Sequence, residues 1–467
     1  MTAHLGDRAL LADGSVVVLR ELGPADADAL LALHRDLPLR DRYLRFFSAS
    51  PARLDEFVTR LTSPEEHRYV AIGAFAGDDL VGAANYVRQA DATAEVALVV
   101  AHDRQSHGVG TLMLEHLISL ARARGVRRFR ADVLTTNSRM LRVFTDLGLV
   151  CESTPDSDVV HVDLGLDPDE TYPSETYLDA VADRELAADV ASLRAVLRPS
   201  SVVVVGAGRK RSSVGNAVLH NLSDFPGAKY AVNPHTDRVL GVASYPSVAD
   251  LPEAPDLAVV CVPADAVPRV AADCGRRGVR ALVVITSGVD RDRLLDVVHR
   301  HGMRLVGPNC VGVSGPGLNA TFTRGRPTPG DVGLVTQSGG VAIGVLERLR
   351  RLGLGTSELV STGDKYDVSG NDLLLWWERD DRTRAVALYL ESFGNPRKFS
   401  RLARRVARRK PVLAIRAASS EAGQRAAASH TAATATPAVT RDALFRKAGV
   451  TAVDGVTELV EVLAALH

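Results

Sequence analysis

The hydrophobic pattern of the chain changes twice along its length. Near the start, Val16–Arg20 reads as an opening strand, and Ala25–Asp36 carries helical spacing after the turn signal Gly23-Pro24. Val70–Phe75 and Leu80–Arg88 flank Gly77-Asp78-Asp79 and predict a β-hairpin. Ala94–Val100 predicts a further strand, followed by a glycine-bearing loop and an amphipathic helix reaching about Arg124. From Pro155 to about Leu197 the strand pattern lapses. An acidic, proline-bearing stretch there gives way to an Ala/Leu-rich helical one, which reads as a linker.

Beyond it the cadence is regular. Apolar runs at Val202–Val205, Tyr230–Val232, Leu257–Val262, Leu282–Ile285 and Arg304–Val306 alternate with helical stretches. That is the βαβ rhythm of a parallel, doubly wound sheet. A third block repeats it with Gly333–Thr336, Ser357–Ser361, Ala385–Leu390, Val412–Ile415 and Val450–Val453, closed by a helix over Val456–Leu466. Five strands fit a flavodoxin-like domain. The expected fold class is therefore α/β throughout: a mixed α/β domain over 1–168, a linker over 169–197, a Rossmann-like domain over 198–325 and a flavodoxin-like domain over 326–467. A chain of 467 residues is too long for one core, which agrees with three domains.

Charge narrows the function classes. Lys plus Arg and Asp plus Glu both number 56, so the net charge is zero and nothing favours a general nucleic-acid binder. The basic run from Arg401 to Lys410 reads as the solvated face of a helix. Four cysteines, Cys151, Cys261, Cys274 and Cys310, show neither a CxxC pair nor metal spacing, so no metal site is expected and the thiols fit a reduced, cytoplasmic setting. No apolar run approaches the ~20 residues of a membrane span, and none of the first residues form a leader-like apolar stretch. No membrane or nucleic-acid partner is expected. A homo-oligomer is left open.

The first chemistry-bearing phrase runs from Ala94 through Glu95 and Val100 to Gln105-Ser-His107-Gly108-Val109-Gly110-Thr111. A strand feeds a loop whose glycines open a helix, so backbone N–H groups and the helix dipole face a pyrophosphate. Bare glycines there also suit a plain turn, but the whole phrase resembles the Gln/Arg-x-x-Gly-x-Gly signature of the GNAT acyltransferases, carried by Gln105, Gly108 and Gly110. The resemblance extends to Asn137-Ser-Arg-Met140 through Gly148-Leu149, and to Asp13-Gly-Ser and Arg42-Tyr-Leu-Arg-Phe-Phe47 near the start. It implies acetyl-CoA as cofactor, held by Leu98, Val100, Gln105, His107, Gly108, Val109, Gly110, Thr111 and Asn137. It also implies Glu95 as the base that takes a proton from an acceptor amine, a protein lysine being the expected acceptor. Many GNAT enzymes have a tyrosine where Phe144 stands. Phenylalanine cannot donate a proton to the leaving thiolate.

The second phrase, Val202-Val-Val-Val-Gly206-Ala-Gly208-Arg209 to Ser213-Val214-Gly215, superficially matches a dinucleotide fingerprint. It fails at the third glycine, where Arg211 stands, and Asn233 follows the second strand in place of an acid. It resembles instead the CoA-binding domain of NDP-forming acyl-CoA synthetases and of the succinyl-CoA synthetase α subunit. That implies CoA contacts from Gly206, Gly208, Arg209, Ser213, Val214, Asn233, Val262 and Asn309. Cys310 reads as structural.

In the third block, the loops Thr336-Gln337-Ser338-Gly339-Gly340, Thr362-Gly363-Asp364-Lys365, Glu391-Ser392 and Ala428-Ser429-His430-Thr431 are expected to converge. Gln337, Ser338, Gly339 and Gly340 suit an acyl phosphate at a helix start. The synthetase resemblance implies His430 as a phosphohistidine oriented by Glu391. The family phrase has glycines where Ala432 and Thr436 stand, and no ATP-grasp domain is found, so phosphorylation of His430 would require a separate ATP-grasp subunit as partner. Two enzyme readings follow: an amine acyltransferase with a CoA-sensing half, or part of an acyl-CoA synthetase. A binding-only regulator is the third.

Overall fold

The computed structural model describes residues 7–11, 13–48, 51, 53–63, 68–89, 91–147, 149, 151–166, 175–393, 396–416 and 438–466. The chain divides into two compact units, Met1–Ala191 and Ser192–His467.

In the first unit the described strands are β1 (Asp7–Leu10), β2 (Val16–Glu21), β3 (Tyr69–Ala76), β4 (Asp79–Arg88), β5 (Thr93–Val100), β6 (Arg128–Leu134), β7 (Cys151–Asp156) and β8 (Val159–Gly165). Their order in the sheet is β1-β2-β3-β4-β5-β6-β8-β7, and β5 and β6 run parallel while the other neighbours are antiparallel. Helices α1 (Ala27–Arg35), α2 (Leu39–Phe46) and α3 (Leu54–Thr62) precede the long hairpin; α4 (Val109–Ala123) and α5 (Ser138–Thr145) follow it. In α4, Val109, Met113, Leu114, Leu117, Ile118 and Ala121 fall on one helical stripe and are all buried, against Tyr86, Val96 and Phe129. The Val, Met, Leu and Ile side chains among them each contribute roughly 1.5–3 kcal/mol by leaving water. On the opposite sheet face, Ala83 and Val99 meet Leu30, Leu33, Val58 and Leu61 of α1 and α3.

The linker expected from Pro155 onward is corrected by this sheet. β8 pairs with β6 from Arg128↔Gly165 to Leu134↔Val159, and β7 hydrogen-bonds outside it as the edge. An edge strand exposed over Glu152–Asp156 has no buried face to impose alternation, and it tolerates Pro155. The Ala/Leu-rich stretch that follows is a helix, α6 (Glu175–Leu197).

The second unit holds two further sheets. The first comprises β9 (Ser201–Val205), β10 (Ala228–Val232), β11 (Arg238–Val239), β12 (Val242–Tyr245), β13 (Leu257–Val260), β14 (Ala281–Val284) and β15 (Arg304–Val306), in the order β11-β12-β10-β9-β13-β14-β15. Helices α7 (Val214–Asn221), α8 (Val267–Arg277) and α9 (Arg291–Arg300) connect them. The last sheet is built from β16 (Gly312–Gly315), β17 (Leu318–Thr321), β18 (Pro329–Thr336), β19 (Thr356–Ser361), β20 (Ala385–Tyr389), β21 (Val412–Ile415) and β22 (Thr451–Val453), in the order β17-β16-β19-β18-β20-β21-β22. Its helices are α10 (Gly339–Arg351), α11 (Gly370–Arg379), α12 (Pro396–Ala407), α13 (Ala438–Ala448) and α14 (Val456–Ala465). The strands β18–β22 run parallel, as the sequence cadence predicts; the hairpin β16–β17 adds to them antiparallel through β19, although its residues precede position 325. In the basic run, Arg401, Arg404 and Arg408 are exposed while Leu402, Ala403 and Val406 are buried. Among the described residues, no helix is long and apolar enough to cross a membrane.

Candidate functional sites

The first site is a gap in a sheet. β4 follows β5 as far as Gly82↔Val100, whereas β6 pairs with β5 only from Thr93↔Arg128 to Glu95↔Arg130. Beyond Glu95 the two parallel strands diverge. Ala101 N donates to Val81 O, so alternate N–H groups on β5, those of Leu98 and Val100, face the gap. A cleft of about 640 Å³ opens there, lined by Val96–Val100 of β5, Ala131–Val133 of β6, the start of α4 and most of α5.

The mouth of α4 has the expected local geometry. Gly108 is its N-cap with φ 90°, a left-handed conformation that glycine adopts without a Cβ penalty, and no side chain caps the helix. Gly110 faces Leu98, whose Cδ1 would be in ordinary contact, at 3.4 Å, with a Cβ placed there. The N–H groups of this first turn are thus left for a ligand. Asn137 caps α5 by accepting from Met140 N at 3.2 Å.

Of the residues singled out from sequence, Leu98, Val100, Gln105, Gly108, Val109, Gly110, Thr111 and Asn137 line the cleft. Glu95 and His107 stand outside the lining. Glu95 is exposed on β5, one residue before the lining begins, and its carboxylate accepts from Gln89 Nε2 at 3.4 Å. Gln105 is engaged on both sides. Its Nε2 donates to Asp41 Oδ2 at 2.9 Å and Val100 O at 3.3 Å, while its Oε1 accepts from Arg139 Nη1 at 2.8 Å. His102 Nδ1 shares Asp41 Oδ2 at 2.8 Å. Phe144 is buried in the core, with 1 % of its surface exposed.

Sequence reasoning did not assign the wall formed by α2. Arg40, Asp41, Leu44 and Arg45 line the cleft, as does Arg184 of α6, which donates to Asp146 O and pairs with Glu115. The only signal was the Arg42–Phe47 phrase, noted as a resemblance and given no role.

In the second unit, the chosen residues gather at the carboxyl ends of β9, β10, β13, β14 and β15. Gly206 has φ 93°, and a Cβ there would lie 2.8 Å from Cys261 O; a Cβ on Gly215 would lie 2.6 Å from Gly206 O. The turn between β9 and α7 therefore fits only with both glycines. Asn233 Nδ2 donates to Ala207 O and Asn216 Nδ2 to Gly208 O, both at 2.8 Å, which sets the loop's shape. Ser213 caps α7, with Val214 half-exposed at its first turn. Arg209 Nη2 reaches Thr236 Oγ1 at 2.9 Å. Thr286 Oγ1 donates to Val262 O at 2.7 Å, and Asn309 Nδ2 to Asp364 Oδ1 at 3.1 Å. Cys310 is buried and its thiol is pushed up to about 12 by burial, which leaves it unreactive.

At the last sheet, Ser338 caps α10 and Gly339 and Gly340 open it. The Gln337 carboxamide oxygen accepts from the backbone N–H groups of Glu391 and Ser392, so the loops after β18 and β20 do come together. Lys365 joins them, donating from Nζ to Ser392 O at 2.8 Å and Oγ at 2.7 Å. Burial pushes this amine down to about 8, against the opposing pull of Glu391. His430 lies outside the described residues, with the rest of its loop.

Three families match the chain in succession: the acetyltransferase (GNAT) family over residues 34–149, a CoA-binding domain over 200–316 and a succinyl-CoA ligase-like flavodoxin domain over 329–466. The chain joins a GNAT domain to CoA-binding and succinyl-CoA ligase-like domains. GNAT and CoA-binding domains use acetyl-CoA or CoA, as expected from the sequence. The synthetase-like half is 40% identical over 275 residues to an acetate–CoA ligase [ADP-forming] of Archaeoglobus fulgidus, covering 56% of this chain and 40% of that one. It is 34% identical over 279 residues to the α subunit of an acetate–CoA ligase [ADP-forming] of Pyrococcus furiosus, covering 57% of this chain and 61% of that subunit. A dinucleotide-forming acetyl-coenzyme A synthetase of Ca. Korarchaeum cryptofilum, solved with phosphate and ADP, superposes with a TM-score of 0.55 at 36% identity, over 57% of this chain and 61% of that one. The chain thus spans between 40% and 61% of these relatives' own lengths.

Proposed function

We propose that the GNAT domain transfers an acyl group from acyl-CoA, acetyl-CoA in the first place, to an acceptor amine, and that this amine is a protein lysine. The reading rests on the divergence of β5 and β6 beside the uncapped first turn of α4. The diphosphate of the cofactor sits on the Gly108–Thr111 N–H groups. Its pantetheine arm runs between the strands along Leu98 and Val100, and the thioester ends near Glu95. The amine nitrogen attacks the thioester carbonyl after Glu95 takes a proton from the ammonium. A C–N bond forms, the C–S bond breaks, and CoA leaves as thiolate, taking its proton from solvent since Phe144 has none to give. Transfer of labelled acetyl groups to lysine peptides and proteins, with wild type and Glu95→Gln side by side, tests this. Equal label from both removes Glu95 from the reading.

In this reading the second unit senses CoA or its acyl derivatives. A second reading makes that unit part of an NDP-forming acyl-CoA synthetase acting through His430 with an ATP-grasp partner. It is favoured by the junction of Gln337, Glu391 and Lys365 and by the activities named for the relatives above. Labelled phosphate on histidine from ATP or ADP and acyl phosphate, lost in His430→Ala, supports it; absence of label with every candidate ATP-grasp subunit counts against it.

A further inference from the structure

Asn85 and Glu95 share one face of the sheet in the GNAT domain. Asn85 stands directly across from Ala97, and Val87 across from Glu95, so the two side chains are diagonal neighbours on adjacent antiparallel strands. This is the face turned to α1–α3, because Val99, two residues along from Ala97, packs in that cluster, whereas Val96 packs against α4 on the other side. The cleft is lined from both faces, by the start of α4 and by α5 on one and by Arg40, Asp41, Leu44 and Arg45 of α2 on the other. With Glu95 read as the base, the acceptor amine meets the thioester from the Asn85–Glu95 side.

A cation with a covered donor is built into that side. Arg45 of α2 lines the cleft, donates from Nη2 to Asn85 Oδ1 at 2.9 Å, and lies over the rings of Phe46 and Phe57 at 5.0 and 5.6 Å. Asn85 is itself buried, with 6 % exposure. The Arg45 Nε–H is buried with no hydrogen-bond partner among the described residues. Leaving a charged donor so placed is costly unless an acceptor arrives to use it. Burial holds the guanidinium down to about 10, still charged at neutral pH, and the charge working against that shift is Glu95.

We propose that Arg45 is a positioning residue for Glu95: once cofactor and amine are bound, its spare donors draw the carboxylate off Gln89 and into the cleft, where it accepts the amine's proton. The inference rests on the reading of Glu95 as base. It also accounts for an exposed Glu95 beside a cleft that it does not line. Asn85 keeps the guanidinium aimed, and the two phenylalanine rings shield it from water.

The test is a double-mutant cycle on the full chain, following acetyl transfer from acetyl-CoA to a lysine peptide. Arg45→Met is expected to lower kcat by roughly tenfold in the wild-type background and by less than about twofold in the Glu95→Gln background, the non-additivity of groups that act as one. The KM for acetyl-CoA should stay within about twofold, which also reports a folded cofactor cleft. Arg45→Lys should recover part of the lost kcat. Equal losses in both backgrounds, or no loss in the first, overturn the inference while leaving Glu95 in place. If Glu95→Gln alone changes nothing, the reading of Glu95 as base fails instead.

Discussion

Gln105 Nε2 donates to Asp41 Oδ2 at 2.9 Å, fastening the glutamine of the cofactor-binding phrase to the helix that walls the opposite side of the cleft. Asp41 holds His102 at 2.8 Å through the same oxygen. Hydrogen bonds to a charged group contribute about 1.5–3 kcal/mol each. Asp41→Ala is expected to raise the KM for acetyl-CoA about tenfold with kcat changed less, as steady-state kinetics against acetyl-CoA will show.

The parts of the two units' sites that were legible in the sequence are those whose backbone needs a particular residue. Gly108 and Gly206 adopt left-handed conformations, and both were singled out from their phrases. The wall formed by α2 was not legible as a site. No residue of α2 is buried as a whole, so no apolar stripe marks it, and Arg45, whose Nε is covered, makes its contact with Asn85, forty positions away. β7 was lost to the linker for the same lack of a buried face, whereas the runs of β9, β13 and β14, buried at every position, were easily read. The meeting of Lys365 with Ser392 depends on loop conformations that no local pattern encodes.

Arg304 is 4 % exposed, and its guanidinium binds Asp367 at 2.9 Å and Asp372 at 3.0 Å. Replacing it by Met strips two largely buried carboxylates of their cation, which should cost about 3–5 kcal/mol. For Asp372, burial alone would raise the pKa, but Arg304 and the Ser369 bonds outweigh it and hold the group below its ordinary value. The stability it contributes is thus present above the unfolded value of ~3.9 and is lost as pH falls through the lower folded value. Urea unfolding of the full chain at pH 7, 5 and 3.5 should show a large deficit in Arg304→Met at pH 7 that narrows in acid. Matching midpoints at pH 7 contradict the clamp.

Lys365, pushed down to about 8 by burial, should be neutral over a range where ordinary lysines are charged. Trace labelling with acetic anhydride from pH 6 to 10, read by mass spectrometry, should give a half-point near 8 for Lys365, against ~10.4 for exposed lysines. Linkage has a definite sign here. The unfolded chain binds more protons between these values, so this group makes stability rise with pH across that window. Lys365→Met should remove that rise.

Gly206→Ala combines φ 93° with a Cβ 2.8 Å from Cys261 O. Strain of about 1–3 kcal/mol is expected, together with loss of CoA binding at the second unit. Calorimetric titration of CoA into the wild type and the variant compares the two directly, and acetyl transfer by the GNAT domain supplies an internal control.

The rate of acetyl transfer from acetyl-CoA to a lysine acceptor, measured in wild type and Glu95→Gln over a range of acetyl-CoA concentrations, bears most directly on the central claim. A cofactor held at the α4 mouth with its thioester beside Glu95 predicts a fall in kcat on the order of 10²-fold with an almost unchanged KM for acetyl-CoA. Equal turnover by the two proteins, or no transfer by the wild type to any amine, contradicts it.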